Sequence, residues 1–394
     1  MNSRKRFIYM STLRMKMGEM EGLSWLRSDV ADCVIPNLIV PPAKERSSSS
    51  QESLFAGGTS IPDVGGVLAK YWVHRPAFID PRVLFKEYGT ENSVNWLPAL
   101  FSRARNLSVI AIPVASLLTL ETMGVAAFKA AISRGDGLKF GLSILSGDMT
   151  DPNVGTRVQA VLTGLSLRPS ECAVIADFTD ADLSEPSFVA PIIRGALEQL
   201  QGLGQWQMIV FQGTNYPEKN PAKPGQTFIQ PRNEWHAWTE AVKFEPSTAQ
   251  QMVFGDFAAD SAKIDFKVGR AQAIRHCRYT TASDWLVTRG DSEGSDYEVM
   301  KDVFERIVDS GEFSGATFSN ADSYIYDVAR NNSPKAGNAT IWRQVNTTHH
   351  ITRVVADIAT VRKIPISTLP NGPVGEQQFL ELFDSDLSAG RNLS

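Results

Sequence analysis

The feature that most limits how this chain can fold is the alternation of short apolar runs with longer segments of helical period. Segments with apolar residues every three or four positions lie at 19–28, 95–105, 117–133, 153–165, 186–203 and 234–242. A strand followed by a crossover helix leads to a parallel neighbouring strand, and eight such units close a barrel. The apolar, strand-like runs lie at 7–15, 33–40, 76–80, 108–114, 138–145, 172–178, 207–212 and 252–257.

This pattern predicts an α/β fold, a (β/α)8 TIM-like barrel over residues 1–270. The alternative, an open doubly wound sheet, is disfavoured because no Gly-rich dinucleotide fingerprint follows the first run. Additional C-terminal strands and helices are expected within 271–370, packed on the barrel, with strands at 273–279 and 285–289 and helices at 297–308 and 341–361. A Ser-rich insertion near 43–63 predicts a surface loop or lid, and 371–394 a flexible tail.

Composition excludes several broad classes of function. The formal net charge of −4 argues against bulk nucleic-acid binding, although a local basic groove stays possible. Cys33, Cys172 and Cys277 are far apart in apolar surroundings, which predicts reduced core thiols and a cytoplasmic protein. The sequence contains neither a signal peptide's continuous apolar segment nor a run long enough to cross a bilayer, so no membrane partner is expected.

If the runs are barrel strands, polar residues at their carboxyl ends meet at one mouth. Asp80, Asp177 and Asp256 end the third, sixth and eighth runs and are the candidates for acid–base catalysis or for holding Mg²⁺. The alternative is a structural network of paired charges, since such networks also perturb carboxylates. His349, on the last predicted helix, is a further candidate general base, although a structural role is the safer expectation.

Cations near strand ends point to an anionic ligand. Lys16 ends the first run just before a helix and could hold a phosphate, while Arg232 could grip the same group with two hydrogen bonds. Arg278 and Arg289, on the two late strands, could clamp an anion or pair with neighbouring aspartates. The candidate ligand-binding residues are Lys16, Glu19, Arg232, Glu234, Arg278, Tyr279, Arg289, Trp342 and Arg343.

The sequence contains distinctive blocks at 13–23, 35–36, 41–42, 76–80, 232–235 with Trp238, 255–257, 274–279, 285–290, Asn338, 342–343 and 349–350. Together they resemble the beta family of proteins found in phages, satellite elements and bacterial genomes. The match spans almost the whole chain, with two departures: Phe257 stands where a tyrosine is expected after Gly-Asp, and the Ser-rich insertion is longer than usual. The resemblance implies an association with phage exclusion and with a toxic or defence partner, without naming a reaction.

Two functions of different classes therefore compete. The first is a barrel enzyme or sensor whose mouth binds a phosphate-bearing ligand, such as a nucleotide, with or without Mg²⁺. The second is a non-catalytic interaction protein that restrains a toxic or defence partner through its surface. The sequence lacks a Walker A loop, a spaced Cys and His set for zinc and a G-x-S-x-G elbow, so ATPase, zinc-hydrolase and serine-hydrolase functions lose their usual support.

Overall fold

The computed structural model describes residues 7–42, 61–243, 252–263 and 273–367. Within these ranges, eight parallel strands form a closed barrel, and the predicted (β/α)8 fold is confirmed. Each predicted run overlaps one barrel strand, because fully buried parallel strands are read from sequence as continuous apolar segments. The first seven barrel strands are β1 (Tyr9–Arg14), β2 (Asn37–Ile39), β3 (Ala77–Asp80), β4 (Ala111–Ser116), β5 (Phe140–Leu145), β6 (Cys172–Asp177) and β7 (Met208–Gln212).

The chain then leaves the barrel before it closes. Strand β8 (Thr227–Pro231) belongs to a second sheet, and β9 (Met252–Asp256) returns to the barrel between β7 and β1. The second sheet is antiparallel, in the order β10 (His276–Thr280), β11 (Asp284–Arg289), β8. The two late strands were predicted, whereas β8 lies in a segment that was expected to be a loop. The five residues of β8, Thr-Phe-Ile-Gln-Pro, are mostly exposed on both faces, so they do not show the alternation of apolar and polar residues that predicts a strand.

Helices cover the barrel and the second sheet. The expected helix at 117–133 is two helices, because Gly124 breaks it at a φ of +80°. The helices around the barrel are α1 (Met17–Ser24), α2 (Ser28–Ala31), α3 (Val64–Tyr71), α4 (Leu84–Tyr88), α5 (Ser93–Asn106), α6 (Leu117–Met123), α7 (Ala126–Ala131), α8 (Ser146–Met149), α9 (Val154–Leu165), α10 (Pro186–Gly202) and α11 (Asn233–Lys243). The last three are α12 (Asp296–Val308), α13 (Asn320–Ala329) and α14 (Ala339–Arg362).

Helix α14 joins the barrel to the second sheet. Its carboxyl-terminal half packs in the main core, whereas Trp342 and Val345 pack in a second core with α12, α13 and the late strands. The helix lies very close to α1, because a Cβ at Gly18 would stand 2.8 Å from the Cβ of Arg343, and one at Gly22 would stand 2.7 Å from the Cβ of Thr347. Two glycines one turn apart therefore set the distance between α1 and α14.

The strand registers divide the barrel interior into layers. Side chains from alternate strands meet at one height, because the strands are tilted. The lower layers are apolar and include Met10, Phe78 and Val210. The uppermost complete layer from the odd barrel strands is polar, and it forms the floor of the barrel mouth. Its members are Thr12, Asp80, Ser143 and Gln212.

Two predicted segments, most of the insertion near 43–63 and the tail at 371–394, lie outside the described residues. Cys33, Cys172 and Cys277 are buried and free, as predicted. No helix among the described residues is long and apolar enough to cross a membrane.

Candidate functional site

The floor of the barrel mouth is a hydrogen-bonded polar layer. The hydroxyl of Thr12 donates across the barrel to Oε1 of Gln212 at 2.8 Å, and the Asn37 amide donates to the Thr12 oxygen at 3.4 Å. Oδ1 of Asn37 is buried and has no partner among the described residues. A buried acceptor of this kind lowers stability unless a donor reaches it.

Asp80 and Asp177 lie at this mouth, as predicted from their strand ends. The Asp80 carboxylate pairs with Arg82, whose guanidinium is 43% exposed. Asp177 accepts hydrogen bonds from the Ser143 hydroxyl at 3.1 Å and from the Thr179 hydroxyl at 2.7 Å. The mouth therefore presents carboxylate and carbonyl-type oxygens on the side of β3, β6 and β7.

Three guanidiniums converge on one carboxylate at the opposite side of the mouth. Arg14, at the end of β1, and Arg343, in the first turns of α14, reach Oδ2 of Asp260 at 2.6 and 2.8 Å. Arg278, on β10, reaches Oδ1 at 3.0 Å. Glu19 is a more distant acid, 4.0 Å from Arg14 and 3.9 Å from Arg343. Three cations thus face two carboxylates, which leaves an excess of positive charge in a largely buried site.

The charges of this cluster control how its acids ionise. Burial acts to raise the pKa of Asp260, but the guanidiniums of Arg278, Arg343 and Arg14 outweigh it and hold that pKa well below its usual range. Burial raises the pKa of Glu19, because its arginine partners are too distant to offset the loss of water. Asp260 is therefore an anion whenever the protein is folded near neutral pH.

The loop that carries Asp260 is strained. Ala258 and Ala259 both have left-handed backbone conformations, with φ values of +50° and +57°. Such residues cost about 1–3 kcal/mol each and cluster at ligand-binding segments. Hydrogen bonds from the Ala258 amide to Asp256 and from Arg278 to the Ala259 carbonyl hold the loop in place. The fold therefore positions Asp260 against a local conformational cost.

The barrel mouth contains two cavities, a narrow recess and a wider cleft. A narrow recess is lined by Thr12, Arg14, Glu19, Asp260 and Arg343, and its free volume of about 10 Å³ has room for about one water molecule. A wider cleft, with about 660 Å³ of empty space partly open to solvent, is lined by the loops after β6, β7 and β9. Ser261 lines both, so the recess and the cleft are adjoining parts of one mouth.

Tyr216 forms one wall of the wider cleft. Its ring lies beneath the Arg278 guanidinium, 4.6 Å from the centroid, and packs edge-on against Trp285. Its hydroxyl is buried and has no partner in the described part of the chain. A phenol and three guanidiniums therefore offer donors to the same region.

Asp256 does not share the mouth with Asp80 and Asp177. It faces outward from the barrel wall, because the neighbouring Gly255 takes the inward position, and it accepts hydrogen bonds from the Tyr9 hydroxyl and from Nε2 of His350. The three aspartates proposed for Mg²⁺ are thus not brought together. No group of three His, Cys, Asp or Glu residues suited to a metal ion occurs within 7–42, 61–243, 252–263 and 273–367.

His349 and Tyr279 belong to a buried polar network behind the barrel. Both ring nitrogens of His349 have partners, Asp322 at 3.0 Å and the Thr280 carbonyl at 2.8 Å, so neither is open to a substrate. The Tyr279 ring stacks on His349 and its hydroxyl donates to Asp322 at 2.7 Å. These two residues fasten α14 and α13 to the second sheet, away from the mouth.

Arg232 and Glu234 lie in a second buried charged cluster. Arg232 is fully buried, donates to the Thr281 carbonyl at 2.7 Å and lies 3.4 Å from Asp357. Burial, together with the charge of Asp256, raises the pKa of Glu234 to about 8, while Oε2 accepts the Asn215 amide. Arg232 therefore ties the second sheet to α14 and does not contribute to the guanidinium cluster.

The remaining candidates have separate positions. Lys16 lies half-buried at the N-cap position of α1, where its side chain makes no capping hydrogen bond, and its charge acts on the Glu19 carboxylate. The Trp342 indole donates to the Ala336 carbonyl inside the second core. Arg289 donates to the Ala222 carbonyl at the far end of β11. Of the candidate ligand-binding residues, the structure brings Glu19, Arg278 and Arg343 together.

Sequence reasoning missed several residues of the mouth. Arg14 and Arg82 stand at or just after strand ends, and the rule that selected Asp80 applied equally to them. Thr12 and Asn37 are polar residues within apolar runs, which is itself a signal of an inward polar position. Asp260 gives no such signal, because only the path of the loop after β9 brings it back over the mouth.

The fold and the mouth define a (β/α)8 barrel with a charged mouth that combines a guanidinium cluster with a polar floor. Within this class, the chain belongs to the Beta protein family, whose model matches residues 9–356. No curated protein matches the chain. The chain also matches a solved structure, a variant carboxyl transferase domain of pyruvate carboxylase from Rhizobium etli with pyruvate, at 12% identity and a TM-score of 0.34. That match covers 98% of this chain and 55% of the other.

Proposed function

We propose that the barrel mouth binds a phosphate-bearing ligand. The observation that supports this is the convergence of Arg14, Arg278 and Arg343 on the single carboxylate of Asp260. Guanidiniums match phosphate oxygens with paired hydrogen bonds, and in a largely dehydrated site each such bond is stronger than in water. In this proposal a phosphate that enters from the wider cleft binds the guanidiniums beside Asp260 or in its place.

The surroundings favour an anion as well. The Tyr216 hydroxyl lies beside the cluster without a partner among the described residues and can donate to a phosphate oxygen. The raised pKa of Glu19 makes protonation of this acid easier, which lowers the negative charge that competes with a ligand. The site thus supplies four donor groups from four different elements of the chain.

Binding of simple phosphates tests the proposal. Inorganic phosphate, pyrophosphate and a nucleotide should raise the melting temperature of the protein relative to chloride at the same ionic strength, since a ligand that binds only the folded state stabilises it. Arg343→Gln and Arg278→Gln should weaken phosphate binding about tenfold to a hundredfold, the value of one or two charge-assisted hydrogen bonds. Arg194→Gln, in an exposed pair on α10, is the matched control and should bind as the unaltered protein does.

Two results would count against this function. One is a wild-type protein whose melting temperature does not respond to any of the three phosphates. The other is a loss of affinity in Arg194→Gln equal to that in Arg343→Gln, which would indicate a general effect of surface charge.

Partner binding is the second candidate, and one observation favours it. Phe188 and Ile192, one turn apart on α10, are 77% and 61% exposed. Large apolar side chains grouped on a surface mark protein contacts more often than chance. If a toxic or defence protein binds at this site, the double variant Phe188→Ser plus Ile192→Ser should no longer retain it in a pull-down. The control Val94→Ser, which changes an exposed apolar residue on α5, should retain it as the unaltered protein does.

A further inference from the structure

We infer that the protein forms a symmetric dimer in which strand β8 pairs antiparallel with β8 of a second copy. The inference does not depend on the proposed phosphate site. It is carried by the outward edge of β8, where the second sheet ends in the described part of the chain. This edge is complementary to itself about a two-fold axis, which is the symmetry that a closed dimer requires.

The backbone of β8 alternates between groups that bond to β11 and groups that face outward. The Arg232 amide donates to the Ser283 carbonyl at 3.0 Å, and the Arg289 amide donates to the Gln226 carbonyl at 2.9 Å. In an antiparallel pair, residues two apart along a strand use the same edge, so the even-numbered residues of β8 also bond to β11. The backbone groups that face away from β11 are therefore those of Thr227, Ile229 and Pro231.

These outward groups match those of a second β8. With Ile229 opposite Ile229 of the second copy, the two residues exchange a pair of N–H to C=O hydrogen bonds. In the same register Thr227 lies opposite Pro231 of the second copy, and the Thr227 amide donates to that carbonyl. Proline has no amide hydrogen, so the return bond is missing there. The register thus forms two hydrogen bonds at the centre and one at each end.

The side chains of β8 favour coverage of this edge. Phe228 is 43% exposed and Ile229 is 60% exposed, and residues 227–231 carry no charge. Soluble proteins usually protect an exposed edge strand with lysine or proline, because an apolar edge is a template for another strand. In β8 the proline stands at the end of the strand and leaves the centre open. A second β8 places Ile229 against an apolar side chain at that centre.

The charges beside β8 favour the antiparallel arrangement. Arg306 on α12, which also pairs with Asp302, donates to the Thr227 hydroxyl at 3.3 Å. Asp284 on β11 is half-buried opposite Pro231, at the other end of the strand and on the same face of the sheet. The two-fold axis brings the Thr227 end of each copy to the Pro231 end of the other, so Arg306 approaches Asp284 of the second copy. A parallel arrangement would bring Arg306 toward its own equivalent instead.

Sedimentation of the full chain tests the dimer. The wild-type protein should sediment as a dimer at micromolar concentration. Ile229→Pro removes an outward amide and no bond to β11, so it should raise the dissociation constant about tenfold to a hundredfold, the value of two hydrogen bonds. Ile229→Val keeps the amide and a branched apolar side chain, and it is the matched control that should dimerise as the wild type does. A monomeric wild-type protein, or a dimer that Ile229→Pro does not weaken, would overturn the inference.

A charge exchange at the axis protects the test against misfolding. Ile229→Lys and Ile229→Glu keep every backbone amide, and each alone should be monomeric because like charges meet across the two strands. A mixture of the two variants should dimerise, since unlike charges then meet. A mixture that stays monomeric, or a dimer that Ile229→Lys keeps and Phe188→Ser plus Ile192→Ser abolishes, would show that β8 does not pair with itself.

Discussion

Nε2 of His350, on α14, lies 2.9 Å from Oδ2 of Asp256, at the end of the last barrel strand. This pair is buried, and the other imidazole nitrogen contacts the Thr280 hydroxyl at 2.8 Å on the second sheet. One strand-end carboxylate is therefore used to connect the barrel wall, the long helix and the additional sheet. Burial acts to raise the pKa of Asp256, but the charge and hydrogen bond of His350 lower it.

The first prediction concerns this pair. Asp256→Asn should lower the free energy of unfolding by about 1–3 kcal/mol, because the buried Tyr9 hydroxyl and Nε2 of His350 then lose their shared carboxylate acceptor. Phosphate affinity should change less than twofold, since the side chain faces away from the mouth. Denaturant unfolding and calorimetry measure the two effects, with Asp182→Asn in an exposed loop as the control. A loss of phosphate binding at full stability would show that Asp256 acts at the mouth instead.

The second prediction concerns the carboxylate at the centre of the guanidinium cluster. Asp260→Asn should lower the melting temperature in dilute buffer, because Arg14, Arg278 and Arg343 then repel one another with only the more distant Glu19 as counter-ion. Added phosphate should restore more stability to this variant than to the wild-type protein. Melting curves in phosphate and in chloride at equal ionic strength test this, and an equal gain in both salts would argue that screening alone is responsible.

The third prediction concerns Glu234, whose pKa of about 8 in the folded protein exceeds the ordinary glutamate value of about 4.3. Between these values the folded state holds a proton that the unfolded state has released, so this group's contribution to stability falls as pH rises. The slope is at most about 1.4 kcal/mol per pH unit. Glu234→Gln, which cannot ionise, should flatten the dependence of unfolding free energy on pH between 5 and 8. An unchanged slope would indicate that Glu234 is already ionised in the folded protein.

The fourth prediction concerns the contact between α1 and α14. Gly18→Ala should destabilise the protein by about 1–3 kcal/mol and weaken phosphate binding, because the added Cβ would displace the Arg343 side chain and the Thr340 carbonyl. Gly195→Ala is the matched control on exposed α10, where nothing lies within 4 Å of the added atom, and it should stabilise by about 0.5–1 kcal/mol. If Gly18→Ala binds phosphate as tightly as Gly195→Ala does, the position of Arg343 is not set by this glycine.

The sequence by itself determined the barrel. Eight apolar runs separated by amphipathic segments leave few ways to bury both faces of each strand, and the crossover helices force those strands to be parallel. The mouth was also located correctly from Asp80 and Asp177, because a barrel brings all strand carboxyl ends to one face. The extra strands at 276–280 and 284–289 were visible for the same reason, since each has a buried apolar side.

The tertiary structure alone decided which charged residues meet. A shift of one residue along a strand turns a side chain from the interior to the outer wall, so Asp177 faces the mouth and Asp256 faces α14. Arg343 reaches the mouth on α14, which packs against α1 at the glycine contact, and Arg278 reaches it from β10, whose backbone donates to Asn346 on α14. Asp260 reaches both through the strained turn at Ala258 and Ala259. The local sequence pattern indicates on which face of its own helix or strand a residue lies. Which side chains it contacts from that face depends on how elements distant in the sequence pack together.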